Sequence, residues 1–168
     1  LLARFGMPLD FPTSDPAALA VLPGIGLRHP ELTIVIDHLG KPPIGGSADA
    51  HALWRSAMTE CARNPRIVAK VSGLYAATGP LDGWTVDQVR PFVDDALDLF
   101  GPGALIYGGD WPISELAGGY ARTWDAAVDI LSGIDRVARD AIMGGTASRV
   151  YGLDPARLAA TTPLETTP

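Results

Sequence analysis

Short apolar runs alternate with longer amphipathic stretches along this chain, and four such repeats follow one another. Each apolar run predicts a strand, and each longer stretch predicts a helix because its apolar residues recur at helical spacing. The predicted strands lie near residues 7–10, 33–38, 67–72 and 104–109, and the predicted helices at 14–28, 49–63, 85–101, 119–133 and 134–152. Strands separated by helices of this length are typical of parallel βα units, so the pattern predicts an α/β domain with four of them.

The same pattern predicts how the helices cover the sheet. Since each strand is followed by a helix, we expect the helices to lie on one face only. The other face would then expose apolar side chains, which favours association of the chain into a homo-oligomer.

The polar residues at the ends of the strands are the candidates for chemistry, because parallel α/β folds gather their functional groups at the carboxyl ends of the strands. Asp110 follows the apolar run "LIYGG". A carboxylate there could cap the following turn, or it could take a proton from water and return it to a leaving group. Strand position alone does not separate the two interpretations.

His38 follows the second strand, directly after Asp37. A histidine there can be a hydrogen-bonded structural residue, a metal ligand or a group that polarises a carbonyl. Side chains alternate between the faces of a strand. If Ile34, Ile36 and His38 point toward the site, Asp37 points toward the helices and makes a structural hydrogen bond.

Lys70 and Ser72 lie on the same face of the third strand by this alternation. An inward Lys70 would interact with a substrate carboxylate or with Asp110, whereas an outward one would reach past a helix to water. Tyr75 and Trp111 either line the pocket or are simply buried in loops.

Composition and charge exclude several classes of partner. The 168 residues carry 13 Lys and Arg against 19 Asp and Glu, for a net charge of −6. No cluster of basic residues predicts a nucleic-acid or membrane-surface partner, and no apolar run reaches the roughly 20 residues of a membrane span. The single cysteine, Cys61, cannot form an internal disulfide, which suits the cytoplasm. Its helical surroundings predict a buried packing thiol.

Four segments resemble one known family when they are taken in order. They are "VIDHLGKPPI" (35–44), "KVSGLYA" (70–76), "YGGDWPI" (107–113) and "GGTASRVYGL" (144–153). They resemble the carboxyl-terminal half of the amidohydrolase-related lactonases, which include sugar-acid lactonases and 2-pyrone-4,6-dicarboxylate lactonases. The resemblance implies a (β/α)₈ TIM-barrel type of fold, which typically needs ~250 residues. We therefore expect residues 1–153 to form a C-terminal half-barrel, with a frayed tail at 154–168. The start "LLARFGMPLDF", which has neither Met nor the features of a signal peptide, also suggests a piece of a longer chain.

The resemblance also implies an activity, namely a hydrolase that opens a cyclic ester of a small-molecule substrate by water attack. Asp110 and His38 would be catalytic, and Lys70, Ser72, Tyr75 and Trp111 would bind the substrate. His38 and Asp110 could hold a divalent metal such as zinc, although some relatives work without one. Two donors are fewer than the three that a catalytic zinc takes from its protein.

Two alternatives stay open. The chain could belong to a metal-dependent decarboxylase of the same superfamily. It could also be a catalytically inactive fragment, because the family's His-x-His pair on the first strand has no counterpart among His29, His38 and His51.

Overall fold

Four parallel strands form a single sheet in the order β1-β2-β3-β4. In this computed structural model, which describes residues 1–77, 83–154 and 156, the strands are β1 Leu9–Phe11, β2 Ile34–Ile36, β3 Ile67–Val71 and β4 Leu105–Tyr107. All three pairings are parallel, so the prediction of four successive βα units is confirmed. Most of the predicted tail (155 and 157–168) lies outside the described residues.

Helices follow every strand, with bounds close to those that the pattern predicts. They are α1 Pro16–Leu19, α2 Leu22–Arg28, α3 Ala48–Ala62, α4 Val86–Phe100, α5 Ile113–Leu116, α6 Tyr120–Ile130, α7 Arg136–Asp140 and α8 Thr146–Tyr151. The last predicted helix is divided, because a π-helical turn at Ala141–Gly145 separates α7 from α8. No helix in the part of the chain that the structure describes is long and apolar enough to cross a bilayer.

One face of the sheet packs against the long helices and holds the main core. Ile34 and Ile36 are fully buried on this face, together with Leu105. Trp54 of α3 and Val93 of α4 belong to the same apolar cluster. The face assignment of β2 from the sequence is therefore wrong: Ile34 and Ile36 point toward the helices, and Asp37 lies on the opposite side, where it pairs with Lys70 of β3.

The opposite face of the sheet is also covered by a helix, which corrects the expectation of helices on one face only. Val35, Val68 and Ile106 lie side by side on this face and are at most 2% exposed. Val150 and Tyr151 of α8 pack against them. Burial of these side chains removes, at this part of the sheet, the exposed apolar surface from which self-association was predicted.

A polar contact joins α3 to α4 on the outside of the molecule. His51 Nε2 lies 2.6 Å from Asp95 Oδ2, and Arg55 Nε lies 2.8 Å from Asp95 Oδ1. Partial burial acts to raise the pKa of Asp95, but hydrogen bonds from Arg55 and His51 outweigh it and lower the pKa below its ordinary value. The pair of helices is thus held by a bridging carboxylate as well as by apolar packing.

Candidate active site

The site forms where the chain leaves the carboxyl ends of β2, β3 and β4. After β2 the backbone enters a turn at Asp37–Gly40, in which His38 has φ 54° and Leu39 has φ 50°. After β4 and two glycines, Asp110 has φ 50°. Residues other than glycine rarely adopt the left-handed region, and such strained positions cluster at functional sites.

A hydrogen bond from helix α3 stabilises the strained turn at His38. The indole Nε1–H of Trp54 donates a 2.7 Å hydrogen bond to the carbonyl oxygen of Leu39. Trp54 is 1% exposed, so this bond forms in the main core and is protected from water. Packing of α3 therefore fixes the backbone from which the imidazole projects.

His38 and Asp110 face each other across a short gap. His38 Nε2 lies 3.8 Å from Asp110 Oδ1, and their side chains are 23% and 16% exposed. Of the three side chains expected to point toward a common volume, His38, Lys70 and Asp110, the structure brings together His38 and Asp110. The turn after Asp110 is closed by its backbone carbonyl, which accepts a 2.9 Å hydrogen bond from the amide of Ser114. The carboxylate itself is directed to the imidazole.

Ser72, directly after the end of β3, contacts the imidazole of His38. Its Oγ lies 2.9 Å from His38 Nδ1, and the residue is 6% exposed. Ser72 was predicted to bind substrate, and in the structure its hydroxyl contacts the imidazole of His38. Three successive strand ends thus contribute one side chain each to a common point.

Gly73 is a site residue that sequence reasoning missed. Its φ is 60°, and a Cβ atom built on it would lie 2.6 Å from His38 Nδ1 and 2.7 Å from Asp110 Oδ2. No side chain fits between those two groups. The available signal was a glycine directly after a strand, which often marks a close approach to the backbone.

Lys70 does not reach the other candidates. It lies on the face with Asp37, and its Nζ is 2.6 Å from Asp37 Oδ1 and 2.9 Å from Asp10 Oδ1. The suggested contact between Lys70 and Asp110 is therefore wrong. Burial acts to lower the pKa of Lys70, but the hydrogen bonds with Asp37 and Asp10 outweigh it, and the pKa lies above its ordinary value. The hydroxyl of Tyr151 donates to the same Asp10 oxygen.

Two aromatic candidates have opposite environments. Tyr75 is 7% exposed, and its hydroxyl donates a 3.4 Å hydrogen bond to the carbonyl of Gly109. Burial, with a smaller effect of the nearby Asp110 charge, raises the pKa of Tyr75 to about 12. Trp111 is 74% exposed at the rim. Tyr75 therefore supports the backbone beside Asp110, while Trp111 is free to contact a ligand.

His38 and Asp110 make up only part of a zinc site. Within residues 1–77, 83–154 and 156, no group of three His, Cys, Asp or Glu side chains is placed to hold a metal ion. Imidazole nitrogen and carboxylate oxygen are both ordinary zinc ligands, so His38 and Asp110 fit as two of the three that a catalytic site takes.

A carboxylate and an imidazole at the carboxyl ends of a parallel sheet are typical of hydrolases built on α/β barrels. Comparison with known proteins agrees, since residues 1–153 match the amidohydrolase family. The chain belongs to that family, as its motifs predicted.

Three individual relatives show which members of the family this chain is similar to. The chain is 38% identical over 146 residues to an L-fucono-1,5-lactonase of Burkholderia ambifaria, covering 83% of this chain and 48% of the relative. It is 36% identical over 137 residues to an L-fucono-1,5-lactonase of Burkholderia multivorans, covering 75% and 45%. A crystal structure of an amidohydrolase from Burkholderia multivorans with bound zinc superposes with a TM-score of 0.84 at 32% identity, covering 91% of this chain and 55% of that one. The chain thus spans about half the length of the curated relatives that it matches.

Proposed function

We propose that the complete protein is a lactonase that opens a sugar-acid lactone, and that this chain supplies the His38 and Asp110 half of its active site. The proposal rests on one observation: His38 Nε2 and Asp110 Oδ1 face each other at a distance of 3.8 Å. The names of the two curated relatives support a lactone as substrate and favour the lactonase over the decarboxylase.

The proposed chemistry assigns the proton transfers to Asp110. As a water oxygen attacks the lactone carbonyl carbon, the Asp110 carboxylate takes one proton from that water. The bond between the carbonyl carbon and the ring oxygen then breaks, and the same proton passes to the ring oxygen. One water is consumed, and the product is an open-chain hydroxy acid. His38, on the other side of the gap, orients the water.

A metal would be held by the same two residues. The zinc bound to the Burkholderia multivorans amidohydrolase supports this part of the proposal. His38 Nε2 and the Asp110 carboxylate would be two ligands, with further donors from the half of the protein that this chain does not span. When bound, the cation would act as a Lewis acid on the carbonyl oxygen.

The substrate-binding residues differ in how well the geometry supports them. Trp111, largely exposed beside Asp110, offers an apolar surface against which a sugar ring can pack. The Lys70 charge is already compensated by two carboxylates. We therefore propose Trp111 as a substrate contact, and Lys70 as a structural residue beneath the site.

Supplying the other half of the site tests the function. The chain would be assayed with L-fucono-1,5-lactone by itself, and again when fused behind the N-terminal half of the Burkholderia ambifaria lactonase. We expect no turnover above background from the chain alone and clear turnover from the fusion. Asp94, exposed on α4, provides a matched control, because Asp94→Asn should leave the activity of the fusion unchanged.

Two outcomes would contradict the proposal. One is a folded fusion, as judged by circular dichroism, that hydrolyses no sugar-acid lactone. The other is a chain that is as active alone as in the fusion.

A further inference from the structure

Among the residues that the structure describes, two histidine–aspartate pairs differ in geometry. His51 Nε2 lies 2.6 Å from Asp95 Oδ2, which is a short hydrogen bond to a carboxylate. His38 Nε2 lies 3.8 Å from Asp110 Oδ1, beyond hydrogen-bond reach. A carboxylate accepts and does not donate, so a proton on Nε2 would draw the two groups together, as it does at His51.

The second nitrogen of His38 explains the difference. His38 Nδ1 lies 2.9 Å from the hydroxyl oxygen of Ser72. Ser72 is 6% exposed, so water does not compete freely for its hydroxyl. A neutral imidazole carries one proton, and the hydrogen bond at one ring nitrogen determines the state of the other.

From these contacts we infer that Ser72 is a positioning residue, which accepts a hydrogen bond from His38 Nδ1–H and thereby leaves the Nε2 lone pair directed at the gap shared with Asp110. Two acceptors then face each other across 3.8 Å. Such a gap attracts a species that both can bind, namely a cation or a water molecule that donates its protons. Gly73 leaves free the space beside both residues, because a Cβ there would lie 2.6 Å from His38 Nδ1 and 2.7 Å from Asp110 Oδ2.

The value of this tautomer for catalysis rests on the proposed function, but the tautomer itself does not. Replacing Ser72 removes the acceptor for Nδ1–H while leaving the ring in place. The imidazole can then move its proton to Nε2, which faces the Asp110 carboxylate at 3.8 Å. The ring state is therefore a property of the chain that can be measured without any substrate or metal.

Nitrogen-15 NMR of the histidine-labelled chain tests the inference at about pH 8, above the ordinary histidine pKa of about 6.5. In the wild type, we expect the His38 Nε2 signal in the pyridine-like, unprotonated region. The His51 Nε2 signal serves as the internal reference and should be pyrrole-like, because it donates to Asp95. Signals are assigned with His38→Gln and His51→Gln, and His29 supplies the third resonance.

Two variants at Ser72 distinguish a positioning role of its hydroxyl from a packing role of its side chain. Ser72→Ala should move the His38 Nε2 signal toward the pyrrole-like region, and Ser72→Thr, which keeps the hydroxyl, should restore the wild-type position. A pyrrole-like Nε2 in the wild type would overturn the inference, as would an unchanged signal in a folded Ser72→Ala. If Ser72→Ala fails to fold, the chemical shift of His38 Nε2 in the wild type still shows whether this nitrogen carries a proton. A correct tautomer together with an inactive fusion enzyme would refute the proposed function and leave the role of Ser72 intact.

Discussion

Three residues of the site adopt left-handed backbone conformations at neighbouring strand ends. They are His38 at φ 54°, Gly73 at φ 60° and Asp110 at φ 50°. For a residue other than glycine, this conformation costs roughly 1–2 kcal/mol. The strain turns both functional side chains out of the strand direction and toward each other, so the site depends on backbone shape as much as on residue type.

Replacement of Asp110 by asparagine separates proton transfer from folding. Asn keeps the size of the side chain and tolerates the left-handed conformation, but it cannot accept the proton from water. We expect Asp110→Asn to lower lactone hydrolysis by the fusion enzyme ~10²–10⁴-fold. The free energy of unfolding should change by less than about 1 kcal/mol. Turnover and the thermal midpoint are measured on the same samples, and an early-melting variant with normal turnover would rule out the catalytic role.

Replacement of Gly73 by alanine tests the close approach at the site. Gly6 is the matched control, because it has φ 64° with no atom within 4 Å of a built Cβ. Gly6→Ala should cost about 1 kcal/mol from the backbone alone. Gly73→Ala should cost about 1–3 kcal/mol more, since its Cβ collides with His38 and Asp110. Urea unfolding gives both values, and equal losses in the two variants would show that the gap at Gly73 is not tight.

At the scale of elements, α8 is notable because this short helix covers the sheet face opposite the long helices. Its contact combines apolar burial at Val35, Val68 and Ile106 with a hydrogen bond from Tyr151 to Asp10. A helix of six residues is not stable alone in water, so tertiary contacts must hold it in place.

Tyr151 variants measure how firmly α8 is docked. Tyr151→Phe removes the hydroxyl but keeps the ring, and it should cost about 1 kcal/mol. Tyr151→Ala removes the ring as well and should cost about 2–3 kcal/mol, because the ring is partly buried against the sheet. Val137→Ala on the exposed side of α7 is the control, expected within about 0.5 kcal/mol of wild type. If Tyr151→Ala were as mild as Val137→Ala, α8 would not be docked on this face.

At the scale of the whole molecule, folding raises the pKa of two weak acids, the buried Cys61 and the partly buried Tyr151. Burial raises the pKa of the Cys61 thiol from 9.0 to about 12. Burial, together with a hydrogen bond to Asp10, raises the pKa of Tyr151 from 10.0 to about 12. The unfolded chain releases these protons at a lower pH than the folded chain does. Their contribution to stability is therefore complete below about pH 9 and is lost as the pH rises toward 12.

The prediction is a free energy of unfolding that falls steadily between pH 9 and pH 12. Urea titrations at pH 7, 9, 10 and 11 measure it. In Cys61→Ala, the free energy of unfolding should fall less steeply with pH near pH 9, because alanine has no proton to release. Stability that stayed level from pH 9 to pH 11 would contradict the assignment of these groups as buried and protonated.

Much of the architecture follows from the sequence by itself. The alternation of apolar runs and helical stretches determined the four βα units and their parallel order, because local spacing reports strand and helix directly. Asp110 and His38 could be singled out because polar residues at the carboxyl ends of buried strands meet at one edge of a parallel sheet. Strand position alone did not separate a structural from a catalytic role, and the family motifs supplied that distinction. The motifs also sufficed to place the chain in its family.

Tertiary structure alone decided which way the side chains point. Every residue of β2 is buried, so its pattern carries no alternation from which the inner face could be identified. The register with β3 placed Val35 and Asp37 on the face of Lys70, and ion pairing with Lys70 then fixed Asp37 there. The contact between Ser72 and His38, the space at Gly73 and the docking of α8 all depend on residues at least 34 positions apart in sequence. No local pattern encodes such distances, because they arise only when the strands are aligned side by side.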